Sequence, residues 1–224
     1  MMRNQKSGAA GPIKLGADVM SKNDNWALKN RALFNGKKVF CINLLSSPGS
    51  GKTTLLETMA GRFGREMAVV AGDLQTPRDS ERITRAGSPA VQIETGGACH
   101  LDAQSVAEAL TRLDLETVKL AVIENVGNLV CPAAYNLGED IKVGMLSTAE
   151  GDDKVLKYPS IFSRIDVLLI NKIDLLPHLT FNPNKAVKEC RSLNASVKAF
   201  QISALTGEGV EAFFTYLSGQ LDSI

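Results

Sequence analysis

The chain has 224 residues, with 25 Lys and Arg against 24 Asp and Glu, a formal net charge of +1, and 44% hydrophobic but only 5% aromatic residues. That length and apolar share suit one globular unit with a sizeable core and a short appendage. The balance excludes a non-specific nucleic-acid binder, which needs a basic surplus or a base-stacking surface. It also excludes a membrane-spanning chain, since no apolar run approaches the roughly 20 residues a spanning helix needs. The opening Met1-Met2-Arg3-Asn4-Gln5-Lys6 runs into Gly and Ala with no apolar core, so the expectation is a cytoplasmic protein. In a reducing compartment Cys41, Cys99, Cys131 and Cys190 are thiols, fillers or metal ligands rather than disulfides.

Residues 1 to about 20 are polar and carry glycine with no sustained period, which predicts loose order. Ser21 or Asn23 is expected to cap a helix bearing Trp26, Leu28, Leu33 and Phe34, stopped by Asn35-Gly36 and packed on the edge of the main unit. Residues 1–36 are thus read as a flexible segment and leading helix, and 37–224 as the main domain. There Val39–Leu45, Ala68–Ala71, Val91–Ile93, Leu120–Ile123, Val143–Leu146, Ile165–Ile170 and Val197–Ile202 read as strands. Helices are expected after Lys52, over 78–86, 101–113, 184–193 and 210–217. Strands alternating with helices, and strands apolar on both faces, give an α/β fold: a mainly parallel sheet with helices on both faces. Such sheets bind ligands beyond the carboxyl ends of their strands.

The residues just past each strand end are therefore the informative ones. After the first comes Ser46-Ser47-Pro48-Gly49-Ser50-Gly51-Lys52-Thr53-Thr54, a strand–turn–helix phosphate loop. Gly49 and Gly51 let amide N–H groups turn inward at an anion. The helix N-terminus adds partial positive charge. Lys52 is placed to reach the β- and γ-phosphates, and the Thr53 hydroxyl to reach Mg²⁺. Ser46 stands where the motif has Gly, which is tolerated only if that residue needs no positive φ. After the second strand Asp73 is read as holding Mg²⁺ or orienting the attacking water, in a segment resembling a γ-phosphate switch; capping the next helix is the simpler alternative. After the fourth, Glu124 is read as an Mg²⁺ holder and the Gly127 N–H as a γ-phosphate contact.

Asn171-Lys172-Ile173-Asp174 comes after the sixth strand. A carboxylate accepts two neighbouring N–H groups, which guanine offers and adenine does not, so Asp174 selects guanine. Lys172 lies along base and ribose, and the turn Ser203-Ala204-Leu205 after the last strand aims a backbone N–H at the guanine oxygen. The catalytic set is Lys52, Asp73 and Glu124. The nucleotide set is Pro48, Gly49, Ser50, Gly51, Lys52, Thr53, Thr54, Gly127, Asn171, Lys172, Asp174, Ser203, Ala204 and Leu205, with Thr53, Asp73 and Glu124 for magnesium. Cys99-His100 after the third strand and Cys131 after the fourth offer two thiolates and an imidazole, a set suited to Zn²⁺ or Ni²⁺. Packing for the thiols, and a helix cap for His100, are the competing readings from composition alone. A fourth ligand would come from Asp102, water or a second subunit.

Taken together, the phosphate loop, Gly72-Asp73-Leu74-Gln75-Thr76, Cys99-His100-Leu101-Asp102, Glu124-Asn125-Val126-Gly127-Asn128-Leu129-Val130-Cys131-Pro132, Asn171–Pro177 and Thr206-Gly207-Glu208-Gly209 resemble the HypB family of hydrogenase-maturation P-loop GTPases, related to UreG. The resemblance runs from about residue 20 to the end. It implies a P-loop NTPase three-layer sandwich on a seven-stranded sheet, slow hydrolysis of GTP to GDP and phosphate with Mg²⁺, and GTP- or metal-linked homodimers. It implies Cys99, His100 and Cys131 as ligands for Ni²⁺ or Zn²⁺. It also implies a HypA-type nickel chaperone as partner and a [NiFe]-hydrogenase large-subunit precursor as client. Some members carry an N-terminal Cys-x-x-Cys-Gly-Cys site or a histidine-rich tract. Here residues 1–40 hold no cysteine, and His100 and His178 are the only histidines, so nickel handling rests on the internal site. A urease-type nickel accessory GTPase, or a GTPase switch binding only protein partners, are the alternatives.

Overall fold

The structure, a computed structural model, describes residues 15–72 and 78–224. The strands are β1 (Phe40–Ser46), β2 (Met67–Ala71), β3 (Ala90–Gln92), β4 (Leu120–Glu124), β5 (Ile141–Ser147), β6 (Val167–Asn171) and β7 (Lys198–Gln201). They form one seven-stranded sheet in the order β3-β2-β4-β1-β5-β6-β7, and every pairing is parallel. The helices are α1 (Leu15–Lys37), α2 (Lys52–Phe63), α3 (Arg78–Arg85), α4 (Ala103–Leu110), α5 (Lys154–Lys157), α6 (Pro159–Phe162), α7 (Pro183–Leu193) and α8 (Val210–Leu221).

Side chains alternate across each strand, so each contributes to two cores. Phe40, Ile42 and Leu44 of β1 point into the core made with α2, α3 and α8. Cys41 points to the opposite face, where α1 and α4 cover β2 and β4. Leu45 joins a third cluster with α6 and α7 beneath β5 and β6. That is the expected three-layer α/β sandwich. β6 is shorter than expected: Ile165 and Asp166 precede it, and Asp166 commits both its backbone N–H and its side chain to Lys142 of β5. The seven-residue strands are β1 and β5.

The leading helix departs most from expectation. It runs from Leu15, so neither Ser21 nor Asn23 caps it. It packs on α4, over the face formed by β1, β2 and β4. Leu28 is 68% exposed and Leu33 38% exposed, while the buried stripe is Asn23, Ala27, Asn30 and Phe34. Those residues recur at helical spacing, but two of them are polar, which hides the stripe from an apolar count.

The helix also passes through Gly36. It closes in a Schellman motif, with Lys38 N–H donating to Asn35 O at 3.2 Å and Val39 N–H to Phe34 O at 2.9 Å. Lys38 therefore sits at φ 54, a position that favours glycine. The left-handed penalty is about 1–2 kcal/mol, partly offset by the entropy glycine loses on folding. Lys38→Gly should stabilise the protein by about 0.5–1 kcal/mol, visible as a rise of roughly 1–4 °C in Tm. A drop in Tm would show that the lysine side chain contributes more than its backbone strain costs.

Candidate functional site

The phosphate loop joins β1 to α2. Its left-handed residues are Gly49 (φ 72) and Gly51 (φ 101), whereas Ser46 is the last residue of β1 in ordinary extended backbone. Serine at the motif's first position therefore meets no strain. Its hydroxyl is the hub of the loop. It accepts from Lys52 Nζ at 3.0 Å and from Ser50 Oγ at 2.7 Å, and donates to Ser47 O at 2.9 Å. Lys52 is buried at the start of α2, with Thr53 and Thr54 beside it in the first turn. Gly127 presses its backbone on this loop, since a Cβ there would lie 3.1 Å from Pro48 Cα. Glu124, wholly buried, ends β4 level with Leu44 of β1 and Ala71 of β2. Asp73 lies outside the described residues. Its neighbour Gly72 donates its N–H to Glu124 O at 2.8 Å.

The base-side loops are knitted to the phosphate loop by Asn171. Its Nδ2 donates to Ser50 O at 2.8 Å and its Oδ1 accepts from Ala204 N at 2.9 Å. Gly51 has to be glycine here as well, because a Cβ would lie 2.5 Å from Asn171 Nδ2. Asn171 is therefore committed to holding three loops together. Lys172, at φ 65, reaches Gly49 O with its Nζ at 2.7 Å. A non-glycine residue held left-handed in a binding loop costs about 1–3 kcal/mol and is found where function demands it. Asp174 Oδ1 is enclosed and has no hydrogen-bond partner among the described residues. Ser203 and Ala204 are buried, while Leu205 is 80% exposed beside them.

Cys99, His100 and Cys131 do come together: their ligand atoms lie within 4.8 Å of one another. Cys99 Sγ is 3.4 Å from His100 Nδ1. Cys131 opens a short turn after β4, and Asn128 Nδ2 donates to Cys99 O at 3.2 Å, bridging the two ligand loops. Partial burial pushes the His100 imidazole down, only partly opposed by the Asp102 carboxylate, so the ring is neutral and able to ligate near pH 7. It stacks on Tyr135 with centroids 3.9 Å apart. The Cys99 thiol is pushed up, chiefly by its hydrogen bond with Cys131. Two sulfurs and one imidazole nitrogen this close are a soft donor set that fits Ni²⁺ or Zn²⁺ better than Mg²⁺. Asp102, one expected source of a fourth ligand, is not one of the three clustered residues. It caps α4, accepting from Ser105 N at 2.7 Å, so the cap is Asp102 and not His100. Cys41 and Cys190 are buried packing residues, as expected.

One residue the motif reading leaves without a role is Asn125. Its Oδ1 accepts from Leu101 N at 3.1 Å and from Val126 N at 3.0 Å, and its Nδ2 donates to Asn43 Oδ1 at 3.2 Å. It thus ties the backbone beside His100 to the strand that feeds the phosphate loop. Leu101 in turn fills the space over Gly72, where a Cβ would lie 2.5 Å from its Cδ1.

Among the described residues no helix is long and apolar enough to cross a membrane. Fold and site define a P-loop nucleotide-binding protein, and residues 40–201 match the family model for the nucleotide-binding domain of CobW, HypB and UreG. The hydrogenase maturation factor HypB of Azotobacter vinelandii is 48% identical over 93% of this chain and 69% of its own length. A crystal structure of HypB from Helicobacter pylori in complex with nickel superposes with a TM-score of 0.86 at 39% identity, covering 90% of this chain and 96% of that one. HypB from Archaeoglobus fulgidus gives 0.84 at 35% identity, covering 90% and 99%. The chain belongs to the HypB family of hydrogenase maturation factors.

Proposed function

We propose that the chain is a GTP-hydrolysing metallochaperone that carries nickel for [NiFe]-hydrogenase maturation, its nucleotide and metal sites linked through the strand ends they share. One observation carries this reading: Leu101, next to His100, is hydrogen-bonded through Asn125 to the strand before the phosphate loop, and its side chain packs over Gly72 at the end of β2.

In this reading the 48–54 turn holds the phosphates with backbone N–H groups, and Lys52 leaves Ser46 to neutralise charge on the β- and γ-oxygens. Thr53, Glu124 and Asp73 would hold Mg²⁺, which neutralises phosphate charge when bound. Asp174 takes the two N–H groups of guanine, the Leu205 turn offers an N–H to its oxygen, and Asn171 keeps base and phosphate loops in register. Gly127 and the 73–77 segment respond to the γ-phosphate. That response reaches Leu101, which packs over Gly72, and with it His100 and Cys99, so the cargo is held in one nucleotide state and released in the other. Three ligands leave room for a fourth from water or from a second copy of the chain, which supports a metal- or GTP-linked homodimer. A HypA-type chaperone as donor, a hydrogenase large-subunit precursor as recipient, and a cytoplasmic setting complete the reading. Zn²⁺ suits the same donors and is the competing occupant.

Coupling requires different metal affinities in the two states, and linkage makes it reciprocal. Nickel titrated into the protein with a non-hydrolysable GTP analogue, and separately with GDP, should give affinities at least about tenfold apart, with GTP affinity changed by the same factor when nickel is bound. Equal affinities would leave a GTPase that does not move its metal.

A further inference from the structure

We propose that Asn23 is a positioning residue of the metal site, through which the leading helix clasps the two ligand-bearing loops together. The inference rests on the proposed function, in which Cys99, His100 and Cys131 hold nickel.

Asn23 is 6% exposed, and both ends of its carboxamide are used. Oδ1 accepts from Ala103 N at 2.9 Å, three residues beyond His100. Nδ2 donates to Asn136 O at 2.8 Å, five residues beyond Cys131 and next to Tyr135, the ring on which His100 stacks. One side chain therefore joins the backbone of the His100 loop to that of the Cys131 loop. Asn30, two helical turns on, repeats the arrangement. Its two amide hydrogens go to Ala103 O at 2.8 Å and Leu137 O at 2.9 Å. The second loop also lies flush on the helix. At Gly138 (φ 97) a Cβ would come within 2.7 Å of Asn30 Cβ and 2.8 Å of Ala27 O.

Plain packing would not call for this. A buried helix face is filled most simply by Ala or Leu, and an asparagine there is tolerated only when every donor and acceptor is satisfied. Here the partners are the first residue of α4, which follows the His100 loop, and the segment that follows the Cys131 turn, and not the sheet. The loops cannot separate without leaving buried polar groups unpaired, so the carboxamide fixes the span across which two sulfurs and an imidazole must close on one cation. Removal of outer partners that orient metal ligands typically weakens metal binding 10–100-fold.

Trp26, the chain's single tryptophan, reports on the site from nearby. It lines the same cavity of about 230 Å³ as Asn23, His100 and Tyr135. Nickel is titrated into the full chain well below its Tm and followed by thiolate-to-nickel charge-transfer absorption and by quenching of Trp26 emission. Asn23→Ala should weaken nickel binding at least about tenfold, reach the same absorption at saturation, and leave GTP-analogue affinity within twofold. Asn194→Ala is the control. It removes side-chain bonds with Ile165 O, Ser196 N and Ser196 Oγ, and should lower Tm with nickel affinity unchanged. If Asn23→Ala does not fold, Asn23→Ser, uncharged and too short to span both partners, should show the same loss of nickel affinity. Nickel uptake by the wild type with unchanged affinity in the Asn23 variants overturns the clasp alone. No uptake by the wild type overturns the metal reading and the clasp with it.

Discussion

Replacing Cys131 with alanine should weaken nickel binding by at least about a hundredfold while the affinity for a GTP analogue stays within about twofold. The substitution removes one of two sulfurs from a three-donor cluster and leaves only the adjacent pair Cys99 and His100. Those two sit on one loop, so the site loses the donor that closes it from the neighbouring strand end. Cys131 is half-exposed at the start of a turn, so no core cavity results and stability should change by less than about 0.5 kcal/mol. The other two cysteines should behave in the opposite way. Cys41 is sealed under β1 and Cys190 under α7, and burial pushes the Cys190 thiol up to about 11, so it stays protonated at neutral pH. Alanine at either position should cost stability and leave nickel alone. Charge-transfer absorption for the metal and a fluorescent nucleotide for the GTP site measure both arms. Undiminished nickel affinity in Cys131→Ala would leave only the nucleotide switch.

Much of this arrangement is legible in the residues, and the reason is physical. Runs such as Phe40–Leu45 and Leu120–Ile123 are apolar on both faces because both are covered, and that pattern needs no partner to be seen. The convergence of Cys99, His100 and Cys131 is expected once β3 and β4 are placed in one parallel sheet, since loops at the carboxyl ends of nearby strands meet. What the residues do not disclose is where a polar side chain finds its partners. Asn23 looks like a helix cap because asparagine favours that position, yet its partners are backbone groups of residues 103 and 136. Asn171 is read as a base contact, and its carboxamide also pins Ser50 and Ala204. For Asn23 and Asn171 the partner lies far along the chain, where no short-range pattern reaches.

The largest effect on the nucleotide itself should come from Asp174→Asn, expected to lower GTP affinity by roughly 100–1000-fold and to make xanthosine triphosphate the better ligand. Asp174 Oδ1 is enclosed without a partner among the described residues, so the folded protein loses no hydrogen bond at that atom when asparagine replaces it. Guanine presents two adjacent N–H donors, and each bond to a charged acceptor contributes about 1.5–3 kcal/mol. An asparagine offers one acceptor and one donor, so one of the two guanine donors meets an N–H of like polarity. The summed loss of about 3–4 kcal/mol corresponds to that range of affinities. Xanthine carries a carbonyl in place of the amino group and so matches the donor–acceptor pair of asparagine. Lys172 and Asn171 remain in place, held by Gly49 O, Ser50 O and Ala204 N, so the phosphate loop should keep its shape. Nickel binding to the nucleotide-free protein should be unaltered, which separates loss of base reading from general damage. Retained preference for GTP in Asp174→Asn would mean that the base is read by the Leu205 turn alone.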